Sequence, residues 1–283
     1  MRTALVTGGC GFIGSNLVDL LRKRDYEVVV IDDLSSGKKE YCREDVTYIF
    51  LDFKEALKCD LGFDIDVIFH LAAESRIQPS FENPLYTCEN NSYGTAAVCE
   101  YARRNKCKVV YAGSSSFYGG VYLNPYAFAK WQGEEVCKMY SEVYGLKTVI
   151  ARFFNVYGPR NPLIGQYTPV VAIFEEQAKN QQPLTIVGDG EQRRDFTHVY
   201  DICEGLLAMS SEDWNGEIFN LGTGTNHSIN ELADMFDTEK KYLPARAGEA
   251  KETLADISKT KEMLKWAPKH SLSDYITTVR RGS

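Results

Sequence analysis

The stretch that most constrains this chain is the apolar run Thr3-Ala4-Leu5-Val6-Thr7, followed at once by Gly8-Gly9-Cys10-Gly11-Phe12-Ile13-Gly14. A helical pattern comes next, with Leu17, Leu20 and Leu21 on one face. This order is strand, glycine turn, helix. Gly8, Gly11 and Gly14 recur every third residue, and with no side chains they let the backbone approach a pyrophosphate. Phe12 and Ile13 open the helix, whose N-terminus offers N–H groups and the positive end of its dipole. A glycine triplet alone carries little weight; its position between a strand and a helix is what the motif demands. A second strand, Glu27–Ile31, ends in Asp32-Asp33. An acidic residue about twenty positions after the glycines can bind ribose hydroxyls. It would repel a 2′-phosphate, which favours NAD over NADP. The plainer alternative is that Asp32 caps the following turn.

Further apolar runs at 46–51, 66–70, 108–112 and 147–153 alternate with helical patterns. That rhythm predicts an α/β fold, a doubly wound parallel sheet with ligands at the carboxyl ends of its strands. Asp52 and Phe53 then fall where an adenine would lie. Leu71, Ala72 and Ala73 follow the fourth strand and let the backbone pass close to a dinucleotide. A long helix is expected from about 83 to 104. Asn91 inside it is expected beside the cofactor, satisfying a backbone group or positioning a water.

Composition narrows the partners. The 283 residues suffice for one large domain or two modest ones. The net charge of −7 implies no general affinity for nucleic acid or an acidic membrane. No apolar run is long enough to span a bilayer. The N-terminus enters a strand directly, so no signal peptide is expected. None of the eight cysteines forms a C-x-x-C pair. They read as free thiols of a reducing cytoplasm. The four histidines are too scattered to suggest a metal site.

The chemistry concentrates after the fifth strand. Ser114-Ser115-Ser116 closes it, a short loop follows, and a helix opens carrying Tyr126 and Lys130. Positions four apart share a helix face. A phenol beside an ammonium is an acid/base pair, because the positive charge favours phenolate. The spacing Y-x-x-x-K occurs once in the chain, and its place after a dinucleotide-type sheet gives it meaning. Tyr118 and Tyr122 are rival phenols without a lysine four residues on.

After Phe153 the rhythm loosens at the turn-rich stretch 155–162, followed by a helix near 169–179 and a strand at 184–187. Arg193 and Arg194 stand beside the glycine turn 188–190, and Arg246 lies further on. Guanidinium groups pair bidentately with phosphate, so these are candidates for a diphosphate clamp. Taken singly, each is more often a surface ion-pair partner.

The segments TGGCGFIG, HLAA, NNSYGT, GSSSFYG, YAFAK, ARFFNVYGPR, GDGEQRRDFTHVYD, FNLGTG and RAGEAKETLAD run through almost the whole chain. In that order they resemble the extended short-chain dehydrogenase/reductases, close to the UDP-glucose 4-epimerase group. The resemblance implies a Rossmann-type NAD-binding domain at 1–155. A smaller α/β nucleotide-sugar-binding domain would follow at 156–283, with some chain crossover between the two. It implies Tyr126 as general base, Lys130 on the nicotinamide ribose, and Ser114 on the sugar 4-hydroxyl. Ser115 and Ser116 would line the sugar site. Asn155, Arg194 and Arg246 would hold the diphosphate, and Glu249 would lie near the uridine ribose. Arg193 stands where relatives often carry an uncharged residue. Homodimers are usual in the family, through the helices corresponding to 83–104 and 126–144.

By the same resemblance the reaction is a 4-epimerisation. Dehydratases carry Asp-Glu where Ser115-Ser116 stand, decarboxylases a glutamate at Ser116, and GDP-fucose synthases a cysteine there. Uronate 4-epimerases tend to have threonine in place of Asn155. A non-catalytic dinucleotide sensor would lack the Tyr126–Lys130 pair. Thr253, seven residues after Arg246, occupies a gate position where a small residue tends to admit an N-acetyl group. UDP-GlcNAc/UDP-GalNAc is therefore expected beside UDP-glucose/UDP-galactose. The loop from Gly119 to Pro125 is shorter than in relatives, which predicts a more open sugar pocket.

Overall fold

A computed structural model describes residues 1–162, 168–245 and 250–281. Seven parallel strands form the central sheet: β1 Thr3–Thr7, β2 Glu27–Ile31, β3 Thr47–Ile49, β4 Val67–His70, β5 Lys108–Ser114, β6 Thr148–Phe153 and, from late in the chain, β10 Asn215–Leu221. Their order is β10-β6-β5-β4-β1-β2-β3. The sequence runs outward from β1 in both directions, so a crevice opens at the carboxyl ends beside β1.

Strand side chains alternate between two buried faces, as the pleat requires. Ala4, Val6, Val28, Val30 and Phe69 pack toward the helices Phe12–Lys23 and Val199–Ser210. Leu5, Val29, Ile31, Ile68, Val109 and Ile150 pack toward Gly94–Asn105 and Pro125–Tyr144. Both faces being apolar explains why these strands read as nearly continuous hydrophobic runs.

The second unit holds β7 Asn155–Tyr157, β8 Leu184–Val187, β9 Arg193–His198, β11 Asn226–Ser228 and β12 Lys240–Leu243. They form a three-stranded sheet, β11-β9-β7, and a two-stranded one, β12-β8. Tyr157, Phe174, Ile186, Phe196, Leu232 and Ile276 form its core. Because β10 returns to the edge of the first sheet, beside β6, a cut at 155/156 does not separate the two sheets in sequence.

The long helix expected over 83–104 is interrupted. Asn83 caps Pro84–Cys88, a wide turn of π-helix follows at Glu89–Tyr93, and regular helix resumes at Gly94–Asn105. Such turns re-aim side chains. Here Asn90 and Asn91 are both buried. Among the described residues no helix is long and apolar enough to cross a membrane.

Candidate active site

A cleft of ≈ 830 Å³ runs along the carboxyl ends of the central strands and continues beneath the second unit. Its first wall is the glycine turn. Gly8 has φ +74°, and a Cβ there would sit 2.8 Å from the Ala72 nitrogen. A Cβ on Gly14 would meet the Gly8 oxygen at 2.1 Å. The helix after Gly11 has no side-chain cap and no acid in its first turn. Its free N–H groups therefore suit an anion. Gly8, Gly11, Phe12, Ile13, Gly14, Leu71, Ala72 and Ala73 all line this part of the cleft.

Asp32 lines it too. One carboxylate oxygen accepts from Cys10 N at 2.9 Å and the other from Leu34 N at 2.8 Å. Burial nevertheless pushes its pKa up. Phe53 lines the cleft but Asp52 does not. Asp52 instead caps the short helix Phe53–Ala56, accepting from Lys54 N and pairing with Lys54 Nζ, both at 2.8 Å. Asn91 also stands one step back. Its amide donates to Glu74 O at 2.8 Å and accepts from Glu74 N at 2.9 Å. It fixes the loop after β4, and through that loop it sets the cleft wall.

The centre of the cleft holds the serine–tyrosine–lysine group. Ser114 is the last residue of β5, and its Oγ accepts from Ser116 N at 3.2 Å. Asn124 caps the helix Pro125–Tyr144 by accepting from Ala127 N at 2.8 Å, with Pro125 in the first turn. This brings Tyr126 to the opening of the helix. Its hydroxyl donates to Ser114 Oγ at 3.2 Å. Lys130 is buried one turn on, its Nζ 4.5 Å from the centroid of the Tyr111 ring. The rival phenols lie elsewhere: Tyr118 donates to Asn220 Oδ1 at 2.9 Å, and Tyr122 is 82% exposed.

In the protein alone, without the positive charge of the cofactor, burial dominates both groups. Burial raises the Tyr126 pKa, opposed by its Ser114 hydrogen bond and reinforced by Glu74 and Glu134. Burial also lowers Lys130, to about 8, against the pull of Glu134. The low-dielectric wall disfavours both charged forms. Net positive charge placed in the cleft would favour phenolate.

Toward the second unit the cleft is lined by Ser115, Ser116, Asn155, Arg194 and Thr253. The Ser116 and Thr253 hydroxyls are buried without hydrogen-bond partners among the described residues. Such groups call for a polar ligand. Arg194 donates to Arg193 O at 2.9 Å, and its buried guanidinium faces the cleft. Arg193 turns away to Glu231, 2.9 Å distant, and to Asn226 Oδ1 at 2.8 Å, so it belongs to no clamp. Arg246 and Glu249 lie outside the described residues. No group of three or more potential metal ligands occurs among the described residues.

Three further residues bear on the site. Glu74 lines the cleft, and burial raises its pKa. Glu134 and Arg152 form a buried ion pair at 2.6 Å behind the serines. The signals were present: Glu134 repeats the four-residue step from Tyr126 to Lys130, and a charge within the apolar strand 148–153 needs a partner.

The chain matches the family described as "NAD dependent epimerase/dehydratase family" over residues 4–222. A UDP-glucose 4-epimerase of Mycolicibacterium smegmatis is 33% identical, with 98% of this chain and 96% of the relative covered. The structure of a UDP-glucose 4-epimerase from Thermotoga maritima with UDP-glucose superposes with a TM-score of 0.92, at 31% identity, covering 99% of this chain and 98% of that one. A UDP-N-acetylglucosamine 4-epimerase from Methanobrevibacter ruminantium, in complex with UDP-N-acetylmuramic acid, gives a TM-score of 0.88 at 32% identity, covering 99% and 97%.

Proposed function

As the chain belongs to the NAD-dependent epimerase/dehydratase family, whose cofactor is NAD, we propose that it interconverts the C4 epimers of a UDP-hexose through a 4-keto sugar. The observation that carries this reading is the 3.2 Å contact between Tyr126 and Ser114. It lies at the mouth of the glycine cradle, with Lys130 buried beside it.

NAD, when bound, supplies a hydride acceptor and donor at its nicotinamide ring. Gly8, Gly11 and Gly14 leave room for the pyrophosphate, and Asp32, which lines the same cleft, would accept from the adenosine ribose hydroxyls. Tyr126 takes the proton of the sugar 4-hydroxyl and returns it, while Ser114 holds that oxygen. Lys130, as an ammonium, stabilises the phenolate. Arg194 and Asn155 hold the diphosphate while the sugar turns over to present its other face. Ser115 and Ser116 carry no ionisable group. They cannot perform the acid/base elimination of a dehydratase, and the reaction stops at inversion.

Incubation with UDP-galactose, UDP-N-acetylgalactosamine and UDP-glucuronate, with products separated by chromatography, tests the reading. UDP-galactose should be converted to UDP-glucose. Conversion of UDP-glucuronate alone would replace the hexose reading by a uronate one.

Thr253 supports acceptance of the N-acetylated sugars, since its small side chain lines the cleft. Thr253→Tyr should cut turnover of UDP-N-acetylgalactosamine on the order of a hundredfold, because a clash is a stronger discriminator than a lost contact. UDP-galactose turnover should stay within about threefold of wild type. Equal losses on both sugars would remove Thr253 as a gate.

A homodimer fits the outer faces of the paired helices, where Tyr93 is 61%, Val143 62% and Tyr144 55% exposed. Exposed apolar and aromatic side chains along these faces are what such an interface would cover. Size-exclusion chromatography should show twice the 31.9 kDa chain mass. Val143→Glu should shift elution toward the monomer, and a monomeric wild type excludes this assembly.

A further inference from the structure

Glu134 stands four residues after Lys130 and eight after Tyr126, on the same face of the helix Pro125–Tyr144. Its carboxylate accepts from Arg152 Nε at 3.0 and 3.2 Å and from Nη2 at 2.6 Å. The two side chains are 1% and 6% exposed. Arg152 lies on β6, in register with Gly113 on β5, the residue before Ser114. A Cβ on Gly113 would come within 2.9 Å of Glu134 Oε1, so the carboxylate packs directly on that backbone. The guanidinium lies 3.6 Å from the Phe117 ring centroid and 5.1 Å from that of Tyr118. One ion pair thus touches the helix of Tyr126 and Lys130, the strand of Ser114, and the turn that follows it. Buried pairs add little net stability, because desolvation offsets their attraction. Their fixed bidentate geometry suits them to hold elements in place.

We propose that Glu134 and Arg152 are positioning residues. Their ion pair sets the separation between the Ser114 turn and the Tyr126–Lys130 helix face, and the Glu134 carboxylate holds Lys130 as an ammonium. This rests on the roles given above to Ser114, Tyr126 and Lys130. The short 119–125 loop then has no need to fix that separation. The groups around Lys130 agree with the electrostatic half. Tyr126 and Cys137 face it from its own helix, Tyr111 from β5, and Arg152 stands beyond Glu134 on β6. His70 on β4 is neutral near pH 7, since burial takes its pKa down to about 3. Glu74, after β4, bears on Tyr126. Glu134 is the carboxylate that opposes the loss of the Lys130 proton.

The test follows the Lys130 side chain by NMR in NAD-loaded protein carrying ¹³C-lysine, with its resonance assigned by Lys130→Arg. In Glu134→Gln the Lys130 titration midpoint should fall by about one pH unit or more. Turnover should drop on the order of a hundredfold with KM for the UDP-sugar within about threefold. Looser packing that let water reach Lys130 would raise the midpoint instead, because burial is what lowers it. If Glu134→Gln does not fold, Glu134→Gln/Arg152→Met leaves no stranded charge, and its Lys130 midpoint should also fall. A midpoint equal to wild type in a folded variant overturns the proposal. Absence of turnover in the wild type would sink the epimerase reading, and the Lys130 titration would still decide this one.

Discussion

Tyr126→Phe is expected to fold, to retain NAD and to turn over UDP-galactose on the order of a thousandfold more slowly than wild type. Among the described residues the hydroxyl makes one hydrogen bond, to Ser114 Oγ. Ser114 keeps its bond from Ser116 N when the hydroxyl is removed. Little is stranded, so stability should change by less than about 1 kcal/mol. The catalytic loss is large because, among the described residues, no other phenol is placed to replace it. An unperturbed tyrosine has a pKa of about 10, and burial takes Tyr126 higher. The Lys130 ammonium and the cationic cofactor must together bring it down; neutrality is about 4 kcal/mol from the unperturbed value alone, and burial adds to that. Wild-type kcat should therefore rise with pH over its acid limb, as phenolate forms, and the residual rate of Tyr126→Phe should be flat there. Measuring kcat against pH, with NAD content from the absorbance of released cofactor, checks both halves. A variant within tenfold of wild type would remove Tyr126 from the role of base.

Gly14→Ala should lose the cofactor. The added Cβ would lie 2.1 Å from the Gly8 oxygen and 2.8 Å from the Gly9 Cα. Both are backbone atoms, so no side chain can swing aside. The start of helix Phe12–Lys23 must move away from the turn, and its N–H groups move with it. Overpacking of this kind costs about 3 kcal/mol. Charged against NAD binding, that is about a hundredfold in affinity. Titration calorimetry with NAD measures it. Thermal melting in parallel shows whether the strain falls on the fold or on the cofactor site. Wild-type affinity would mean that the pyrophosphate does not rest on this turn.

The placement of these two residues in the cleft was readable from the sequence for a common reason: it is set within a few neighbouring positions. A glycine between strand and helix, or a tyrosine four residues from a lysine, carries its geometry in its spacing. Asp32 was readable likewise, because the end of β2 is fixed by the length of the strand. Asn91 was read only halfway. Its burial against the sheet followed from the helix pattern, but its partner, the Glu74 peptide, lies across a loop. Asp52 also caps the short helix that begins immediately after it, accepting from Lys54 N, a second task that the end of a strand does not announce. The Glu134–Arg152 pair was missed because the two positions meet only after β5 and β6 align. The burial that raises the Tyr126 pKa in the protein alone is likewise invisible to spacing, which shows charges and not the desolvation that accompanies them.

The late return of β10 to the edge of the central sheet also governs how the chain can be made. Until residues 215–221 emerge from the ribosome, β6 presents an unpaired edge carrying Val149, Ile150 and Ala151. Exposed edges of this kind recruit other chains. The whole segment from β7 to the helix Val199–Ser210 must be synthesised, and turned outward, before that edge closes. A nascent chain halted near residue 155 therefore holds the glycine cradle, Ser114, Tyr126 and Lys130, yet lacks the strand that seals their sheet. Folding is thus delayed by contacts distant in sequence. Fragments ending at 155 should aggregate, whereas those extended past residue 221 have the strand that closes it.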